Sequence, residues 1–233
     1  MPSSERGCAP LQQRVILSWS GGKDSALCLQ AIAEVHTHEV ATLLTTVSEA
    51  YERSSMHGVR TVLLEEQAES LGLSLEKVYL SADSSNDEYE QRMRKVLEKW
   101  QAAGVGSVVF GDIFLEDLRK YRENNLARLG MQGLFPLWKR STPDLAIEFL
   151  RLGYKAVVTC VDSQRLDRRF VGRDFDEGFL SDLPAGVDLC GENGEFHSFV
   201  WDGPLFRRPL SFERGEVVLR DNRFYFCDLV PVR

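Results

Sequence analysis

The amino-acid sequence predicts an α/β protein with a parallel sheet and a smaller C-terminal α/β domain. Strand-like and helix-like segments alternate along the first two thirds of the chain, as a parallel sheet with crossover helices requires. An apolar run, Val15-Ile16-Leu17, is followed at once by the glycine turn Ser20-Gly21-Gly22 and then by a helical pattern. The last third changes to glycine turns and short alternating runs. We therefore predict one domain over residues 1–138 and a second over residues 139–233.

Each predicted strand of the first domain is a short apolar or β-branched run. The strands are expected at residues 15–17, 40–47, 75–80 and 107–112. The run at 40–47 contains no charged residue and is long enough for a buried central strand. The polar segment 49–58 is expected to be irregular. The fourth run ends in Gly111-Asp112, at the carboxyl edge where open α/β sheets bind ligands.

The predicted helices of the first domain have apolar residues at three- and four-residue spacing and recognisable ends. Leu27, Ala31 and Ile32 share one face of the first helix. The other helices are expected at residues 59–71, 89–103 and 115–129. Gly72 is suited to end the second helix, and Asn86 is suited to cap the third.

The second domain is predicted from the same rules. Its predicted elements are a helix at residues 143–152, a strand at 155–161, and a terminal hairpin of residues 216–219 and 224–228. Thr142 is expected to cap the helix, and Pro143 suits its first turn. Asp221-Asn222 lies between the two strands of the hairpin, where turn residues are expected.

Composition excludes several classes of protein. With 233 residues, 43% of them hydrophobic, the chain can bury an ordinary core. A formal net charge of −7 argues against a general nucleic-acid binder, which would carry a basic surface. No apolar run approaches the roughly 20 residues of a membrane helix, and the N-terminus shows no apolar signal segment. We expect a cytoplasmic protein without a nucleic-acid or membrane partner, and we leave a homo-oligomer open.

The five cysteines are scattered and form no Cys-x-x-Cys pair. The sequence therefore predicts neither a metal site nor a redox dithiol, and the thiols are expected to be reduced and structural. The basic residues between 165 and 173 and at Arg207-Arg208 are expected on the solvated surface, with the exception of Arg173.

The stretch Ser20-Gly21-Gly22-Lys23-Asp24-Ser25 predicts a phosphate site. Two adjacent glycines let backbone N–H groups converge on an anion, and hydroxyls, one ammonium and a helix N-terminus are added at the same place. It is not a Walker loop, because Asp24 follows Lys23 and Leu17 occupies the earlier glycine position. The string resembles the pyrophosphate-binding PP-loop of the adenine nucleotide alpha hydrolase superfamily. This resemblance implies a Rossmann-like nucleotide-binding domain that cleaves ATP between its α and β phosphates.

A second polar cluster, Gly191-Glu192-Asn193-Gly194-Glu195-Phe196-His197, surrounds a tight turn. Asn193-Gly194 is ordinary turn chemistry, but a turn does not account for two carboxylates and an imidazole. If a strand begins here, alternation puts Glu195 and His197 on one face, where they could hold an amine or move a proton. The spacing alone favours a solvated turn and a functional cluster equally.

Fragments spread over the whole chain resemble diphthine-ammonia ligases. Besides the PP-loop they are Arg119 and Glu123, Pro136-Leu137-Trp138, Leu166-Asp167, Gly172-Arg173, Cys190-Gly191-Glu192-Asn193-Gly194-Glu195-Phe196 and Asp202-Gly203-Pro204-Leu205-Phe206. Their order and spacing together carry the resemblance. It implies an ATP-dependent amidation, in which the carboxylate of diphthine, a modified histidine of a translation elongation factor, is adenylated and then attacked by ammonia. The stretch 54–59 departs from the family's form, so the identity of the acceptor carboxylate stays open.

The resemblance also implies residue roles, with ATP and Mg²⁺ as cofactors and with ammonia or ammonium and a carboxylate acceptor as partners. Catalytic roles are implied for Lys23, Arg119, Glu192 and Glu195. Nucleotide contacts are expected from Ser20, Gly21, Gly22, Lys23, Asp24, Ser25, Thr45, Thr46, His57, Gly111 and Asp112. Substrate contacts are expected from Trp138, Arg173, Asn193 and His197. Glu192 and Glu195 are expected to face the α-phosphate across a cleft, with Glu195 taking the proton from ammonia, and Asp24 is expected to cap its helix, with a magnesium ligand as the alternative.

Two other functions are left open by the sequence. A PP-loop enzyme could instead adenylate a tRNA base before replacing its oxygen, but the acidic charge and the lack of a Cys-x-x-Cys pair count against tRNA. A non-catalytic nucleotide sensor would bind ATP without releasing pyrophosphate. The sensor leaves the polar cluster at residues 192–197 unexplained.

Overall fold

In the computed structural model, which describes residues 12–54, 57–81 and 85–232, the first half of the chain forms a six-stranded, mostly parallel sheet. Its strands are β1 (Gln13–Ser18), β2 (His38–Ser48), β3 (Arg53–Ser54), β4 (Leu75–Leu80), β5 (Ser107–Val109) and β6 (Gln132–Leu134). The strand order is β3-β2-β1-β5-β6, and β4 also pairs with β2. The helices are α1 (Lys23–Val35), α2 (Thr61–Leu71), α3 (Asn86–Ala102) and α4 (Glu116–Ala127). Because β1 is central, the turn that follows it lies in the middle of the carboxyl edge of the sheet.

The second half of the chain adds β7 (Lys155–Asp162), β8 (Phe196–Asp202), β9 (Phe212–Arg220) and β10 (Phe224–Pro231), which form an antiparallel sheet in the order β8-β7-β10-β9. Helices α5 (Thr142–Arg151) and α6 (Glu177–Asp182) and a 3-10 turn at Arg168–Phe170 accompany this sheet. The predicted hairpin is confirmed, since Asp221 and Asn222 have φ values of 52° and 50°, as a type I′ turn requires. Within the described ranges, no helix combines the length and apolarity needed to cross a membrane.

The predicted α/β class, with a mostly parallel sheet and a second domain, is confirmed, and the differences concern short elements. β3 lies in the segment expected to be irregular, and β6 is absent from the sequence prediction, because two or three residues are too few to show a period. β5 ends three residues before Asp112. The capping residues also lie one position earlier than predicted, with Ser85 in place of Asn86 and Ser141 in place of Thr142.

The hydrophobic core lies on both faces of the parallel sheet. Side chains alternate along a strand, so Ile16 packs with residues of α3 and α4, whereas Val15 and Leu17 pack on the opposite face. The cluster on that face also contains Phe149 and Phe196 of the second half of the chain. The core is therefore continuous between the two halves, and the predicted boundary at residue 138 stays a prediction.

The turn after β1 is braced by both halves of the chain. The carbonyl of Gly21 accepts the backbone N–H of Val200 on β8 at 2.9 Å and the side-chain amide of Gln67 on α2 at 3.0 Å. The indole of Trp19 donates to Gln67 Oε1 at 2.9 Å. These bonds place the second sheet directly against the predicted phosphate loop.

Candidate active site

A cavity of about 620 Å³ opens at the carboxyl edge of the parallel sheet, beside the turn after β1, and continues between α3 and α4. The predicted site residues that line it are Ser20, Asp24, Ser25, Thr45, Thr46, His57, Gly111, Asp112, Glu192 and His197. The first eight come from the first half of the chain and the last two from the second. The fold therefore brings the two polar clusters of the sequence together in one space, at the edge where open α/β sheets bind ligands.

The predicted phosphate loop is a tight turn that leads from β1 into α1. Gly21 has a φ of 80°, and a Cβ built there would lie 2.6 Å from a methyl carbon of Leu64, so this position requires glycine. Gly22 is the N-cap of α1 and donates its N–H to Ser20 Oγ at 3.2 Å. Ser25 Oγ donates to the Gly22 carbonyl at 2.8 Å. The turn is thus preformed, with hydroxyls and a helix N-terminus beside the cavity.

Lys23 and Asp24 form an ion pair at the start of α1, in which the lysine is buried and the aspartate is partly exposed. Lys23 Nζ lies 2.9 Å from Asp24 Oδ2, donates to the Cys190 carbonyl, and lies 5.3 Å from the centroid of the Phe196 ring. The ammonium is therefore turned toward the second half of the chain, and Lys23 is not among the residues that line the cavity. Asp24 Oδ1 is buried without a hydrogen-bond partner in the described part of the chain, and burial raises the pKa of this carboxyl. The expectation that Asp24 caps the helix is wrong. Gly22 is the N-cap of α1, and no side chain makes a capping hydrogen bond there.

His57 and His197 meet beside the phosphate turn, with their ring centroids 4.6 Å apart. His57 Nδ1 lies 3.0 Å from the Ser198 carbonyl, which can only accept, so Nδ1 carries the proton and Nε2 does not. Burial lowers the pKa of His57 to about 4 and holds the pKa of His197 well below its ordinary value. Both rings are therefore neutral at pH 7. His197 Nε2 is buried and has no partner among the residues that the structure describes.

Glu192 reaches the cavity from the turn before β8. Its Oε1 accepts the backbone N–H of Ile113 at 2.7 Å and that of Phe114 at 3.4 Å, which fixes the turn to the segment between β5 and α4. Burial raises the pKa of Glu192 to about 7, against the opposite effect of the hydrogen bond from Ile113. A carboxyl group that exchanges its proton near pH 7 is suited to general acid–base catalysis.

Glu195 does not face the cavity. Its buried carboxylate accepts the backbone N–H of Asp188 at 3.2 Å, the backbone N–H of Asn193 at 3.0 Å and the Asn193 side-chain amide at 3.0 Å. Glu195 therefore holds the shape of the turn that carries Glu192. The expectation that both carboxylates face the cleft is therefore wrong for Glu195. Asn193 is exposed, bonds to Glu195 in the same turn and does not line the cavity either.

Three other predicted residues also lie outside the cavity. Arg119 pairs with Glu123 at 2.8 Å, and its guanidinium lies 4.6 Å from the Trp138 ring, so these two residues form a cluster of their own on α4 and the segment after β6. Arg173 pairs with Asp182 at 2.8 Å in the second half of the chain. None of these three residues lines the cavity, so their predicted roles receive no geometric support.

Three arginines line the cavity, Arg94, Arg122 and Arg128, and none of them is among the site residues expected from the sequence. Arg122 is the one that pairs with a predicted site residue, Asp112. Its Nε lies 2.7 Å from Asp112 Oδ2, and its guanidinium carbon lies 4.4 Å from the centroid of the Phe110 ring. Arg122 lies one turn after Arg119 on α4. The sequence carries one signal for the Asp112–Arg122 pair. A carboxylate lies at the end of a predicted strand, and two arginines lie on the next helix.

Comparison with known proteins identifies relatives over nearly the whole chain. Residues 13–133 match the diphthamide synthase N-terminal domain, and residues 141–228 match the diphthamide synthase C-terminal domain. The chain is 30% identical over 230 residues to the diphthine–ammonia ligase of Mus musculus, which covers 88% of this chain and 85% of the mouse protein. It is 29% identical over 232 residues to that of Danio rerio, 90% of each chain. It is 32% identical over 157 residues to that of Homo sapiens, 64% of this chain and 57% of the human protein.

The two domain matches follow one another in the chain and together include both polar clusters that line the cavity. The relatives that share most of this length are ligases. This protein is therefore a ligase that belongs to the diphthamide synthase family.

Proposed function

We propose that this protein amidates the carboxylate of diphthine with ammonia and activates that carboxylate with ATP, releasing AMP and pyrophosphate. The observation that carries the proposal is the shared cavity, in which the phosphate turn of the first half and Glu192 of the second half line one space. A reaction that joins an activated carboxylate to an amine needs such an enclosed site between two parts of the protein. The named relatives are diphthine–ammonia ligases, which supports the same substrate class.

The residues at the carboxyl edge fit ATP as a substrate. The preformed turn, the Ser20 and Ser25 hydroxyls and the N-terminus of α1 would hold the phosphates. Thr45 and Thr46, near the end of β2, and Gly111, just after β5, line the same cavity and would hold the nucleoside. The charge that develops on the leaving pyrophosphate would be stabilised by these fixed dipoles.

Mg²⁺ is part of the proposal as an ion held mainly by the nucleotide. Within the described ranges, no group of three or more His, Cys, Asp or Glu side chains is placed to hold a metal ion. Asp24 Oδ1, buried and unpartnered among the described residues, fits an ion that keeps several waters and binds one or two carboxylates. Bound there, Mg²⁺ would offset the negative charge of the phosphates.

The first chemical step is attack of an acceptor carboxylate oxygen on the α-phosphorus, with pyrophosphate as the leaving group. Arg122 would hold the oxygens of the carboxylate or of the α-phosphate, a role supported by its position on the cavity lining and by its contacts with Asp112 and Phe110. Holding the two reacting groups in one geometry removes much of the entropic barrier.

In the second step the nitrogen of ammonia attacks the acyl carbon. The C–N bond forms, the C–O bond to AMP breaks, and the nitrogen gives up one proton. In this proposal Glu192, which lines the cavity, takes this proton, because its pKa of about 7 leaves it partly ionised at neutral pH. The neutral rings of His57 and His197 would hold ammonia without adding positive charge to the site.

The test is to incubate the protein with ATP, ammonium and an elongation factor that carries diphthine. AMP, pyrophosphate and the mass of the modified factor are measured with and without ammonium. The proposal predicts stoichiometric AMP and amide, and no amide when ammonium is left out. ADP in place of AMP, or AMP that depends on tRNA and not on the elongation factor, would contradict it. ATP binding without pyrophosphate release would favour the sensor instead.

A further inference from the structure

Asp228 lies on β10, outside the residues that line the cavity, yet it pairs with two arginines of the first half of the chain. Asp228 Oδ1 lies 2.7 Å from Arg53 Nη1 and 3.1 Å from Arg60 Nε, and Oδ2 lies 2.6 Å from Arg60 Nη2. The Arg60 contact is bidentate, the stronger and more directional form of this pair. Hydrogen bonds from both arginines hold the pKa of Asp228 at about 2, so the carboxylate stays charged.

The two arginines lie on either side of His57 in the sequence. Arg53 also donates to the Gly58 carbonyl at 2.8 Å. A Cβ built on Gly58, which has a φ of 66°, would lie 2.6 Å from the Phe226 ring of β10, so this backbone packs directly on that strand. Arg53 and Arg60, which flank His57 in the sequence, are therefore both attached to β10, while His57 itself donates to the Ser198 carbonyl on β8.

We propose that Asp228 is a positioning residue, which holds His57 against the second sheet so that its ring lies beside the phosphate turn with Nε2 free to accept a hydrogen bond. A Cβ built on Gly22 would lie 2.8 Å from His57 Cε1, which shows how closely the ring approaches that turn. Without the carboxylate, two adjacent guanidinium groups would repel one another and the attachment to β10 would loosen. The contribution to turnover rests on the proposed amidation, whereas the effect on His57 does not.

The experiment compares Asp228→Asn with Asp228→Glu and with Asp174→Asn. Asp174 pairs with Arg214 at an exposed position beside the same sheet, so Asp174→Asn removes an ion pair that has no link to His57. Nitrogen chemical shifts of the imidazoles report which ring nitrogen of His57 carries the proton in the full-length protein. We expect the Nδ1–H form in the unaltered protein and in Asp174→Asn, a mixture of tautomers in Asp228→Asn, and return of the Nδ1–H form in Asp228→Glu.

Kinetics add a second readout in the amidation assay. Asp228→Asn is expected to raise the KM for ammonium about 10-fold, as the loss of one hydrogen bond would, with kcat nearly unchanged. If Asp228→Asn does not fold, Arg60→Gln keeps the Arg53 contact and is expected to shift the same His57 signals. An unchanged His57 tautomer in a folded Asp228→Asn or Arg60→Gln protein overturns the proposal. If the His57 tautomer changes in Asp228→Asn but the unaltered protein makes no amide, the proposed function is overturned and the positioning role stands.

Discussion

Replacing Glu192 by Gln is expected to make the protein more stable at pH 8 and to slow amide formation. The folded protein holds the Glu192 proton more tightly than the unfolded chain does, because burial disfavours the carboxylate. Stability therefore falls as the pH rises from 4.5, the ordinary pKa of a glutamate, through about 7, and the loss is complete above that range. Gln carries no charge at any of these pH values, so the variant avoids this loss.

The size of the effect follows from the pKa. Each tenfold change in proton affinity corresponds to about 1.36 kcal/mol, so a pKa raised from 4.5 to about 7 disfavours the folded carboxylate by ~3 kcal/mol. Because Glu192 is partly exposed, water screens the effect, and roughly half of it, about 1.5 kcal/mol, is expected. Loss of a general base is expected to slow the second chemical step by about 10²-fold or more.

Two measurements test this prediction. Urea unfolding gives the free energy of unfolding of both proteins at pH 8 and at pH 4, where the two should agree. A single-turnover assay separates pyrophosphate release, expected to be nearly unchanged, from amide formation, expected to be slow. The matched control is Glu195→Gln, which should lower the free energy of unfolding by about 1–2 kcal/mol at pH 8, because the Gln amide group cannot accept from the N–H donors of the turn.

Two results would refute the reasoning. One is a Glu192→Gln protein that is less stable than the unaltered protein at pH 8, and the other is a difference in the free energy of unfolding that is the same at pH 4 and pH 8. Either result would mean that burial does not disfavour the charge of Glu192. Amide formation at the original rate would exclude Glu192 as the base. Equal slowing of pyrophosphate release and amide formation would place Glu192 in the first step.

The remaining predictions concern the phosphate turn and the two arginines of α4. Gly22→Ala should lower the free energy of unfolding by about 1–3 kcal/mol and weaken ATP binding, because its Cβ would lie 2.8 Å from the His57 ring. Gly106→Ala is the control, since a Cβ there meets nothing within 4 Å and should change neither property. Arg122→Gln should lower kcat/KM by about 10-fold or more, whereas Arg119→Gln should leave kcat/KM nearly unchanged. A large loss in Arg119→Gln and none in Arg122→Gln would instead support the catalytic role that the sequence predicts for Arg119.

Much of the fold could be predicted because its causes are local. The turn after β1 depends on an apolar run, two glycines and the helical pattern that follows, all within a few residues. Gly72 ends α2 with a φ of 70°, as its sequence position predicts. The terminal hairpin likewise depends on the two residues of its turn. Two of the strands that the prediction lacks, β3 and β6, contain too few residues to show a pattern and form only because neighbouring strands pair with them.

The sequence by itself determined that a phosphate turn and a second polar cluster exist, but only the tertiary structure decided which side chains of each enter the cavity. Glu192 and Glu195 are only three residues apart. Glu192 accepts hydrogen bonds from the segment after β5, whereas Glu195 accepts them from its own turn. Lys23 turns away toward the Cys190 carbonyl, a partner far along the chain. The physical reason is that the direction of a polar side chain is set by the donors and acceptors that packing brings to it, and these come from segments that the local sequence does not contain.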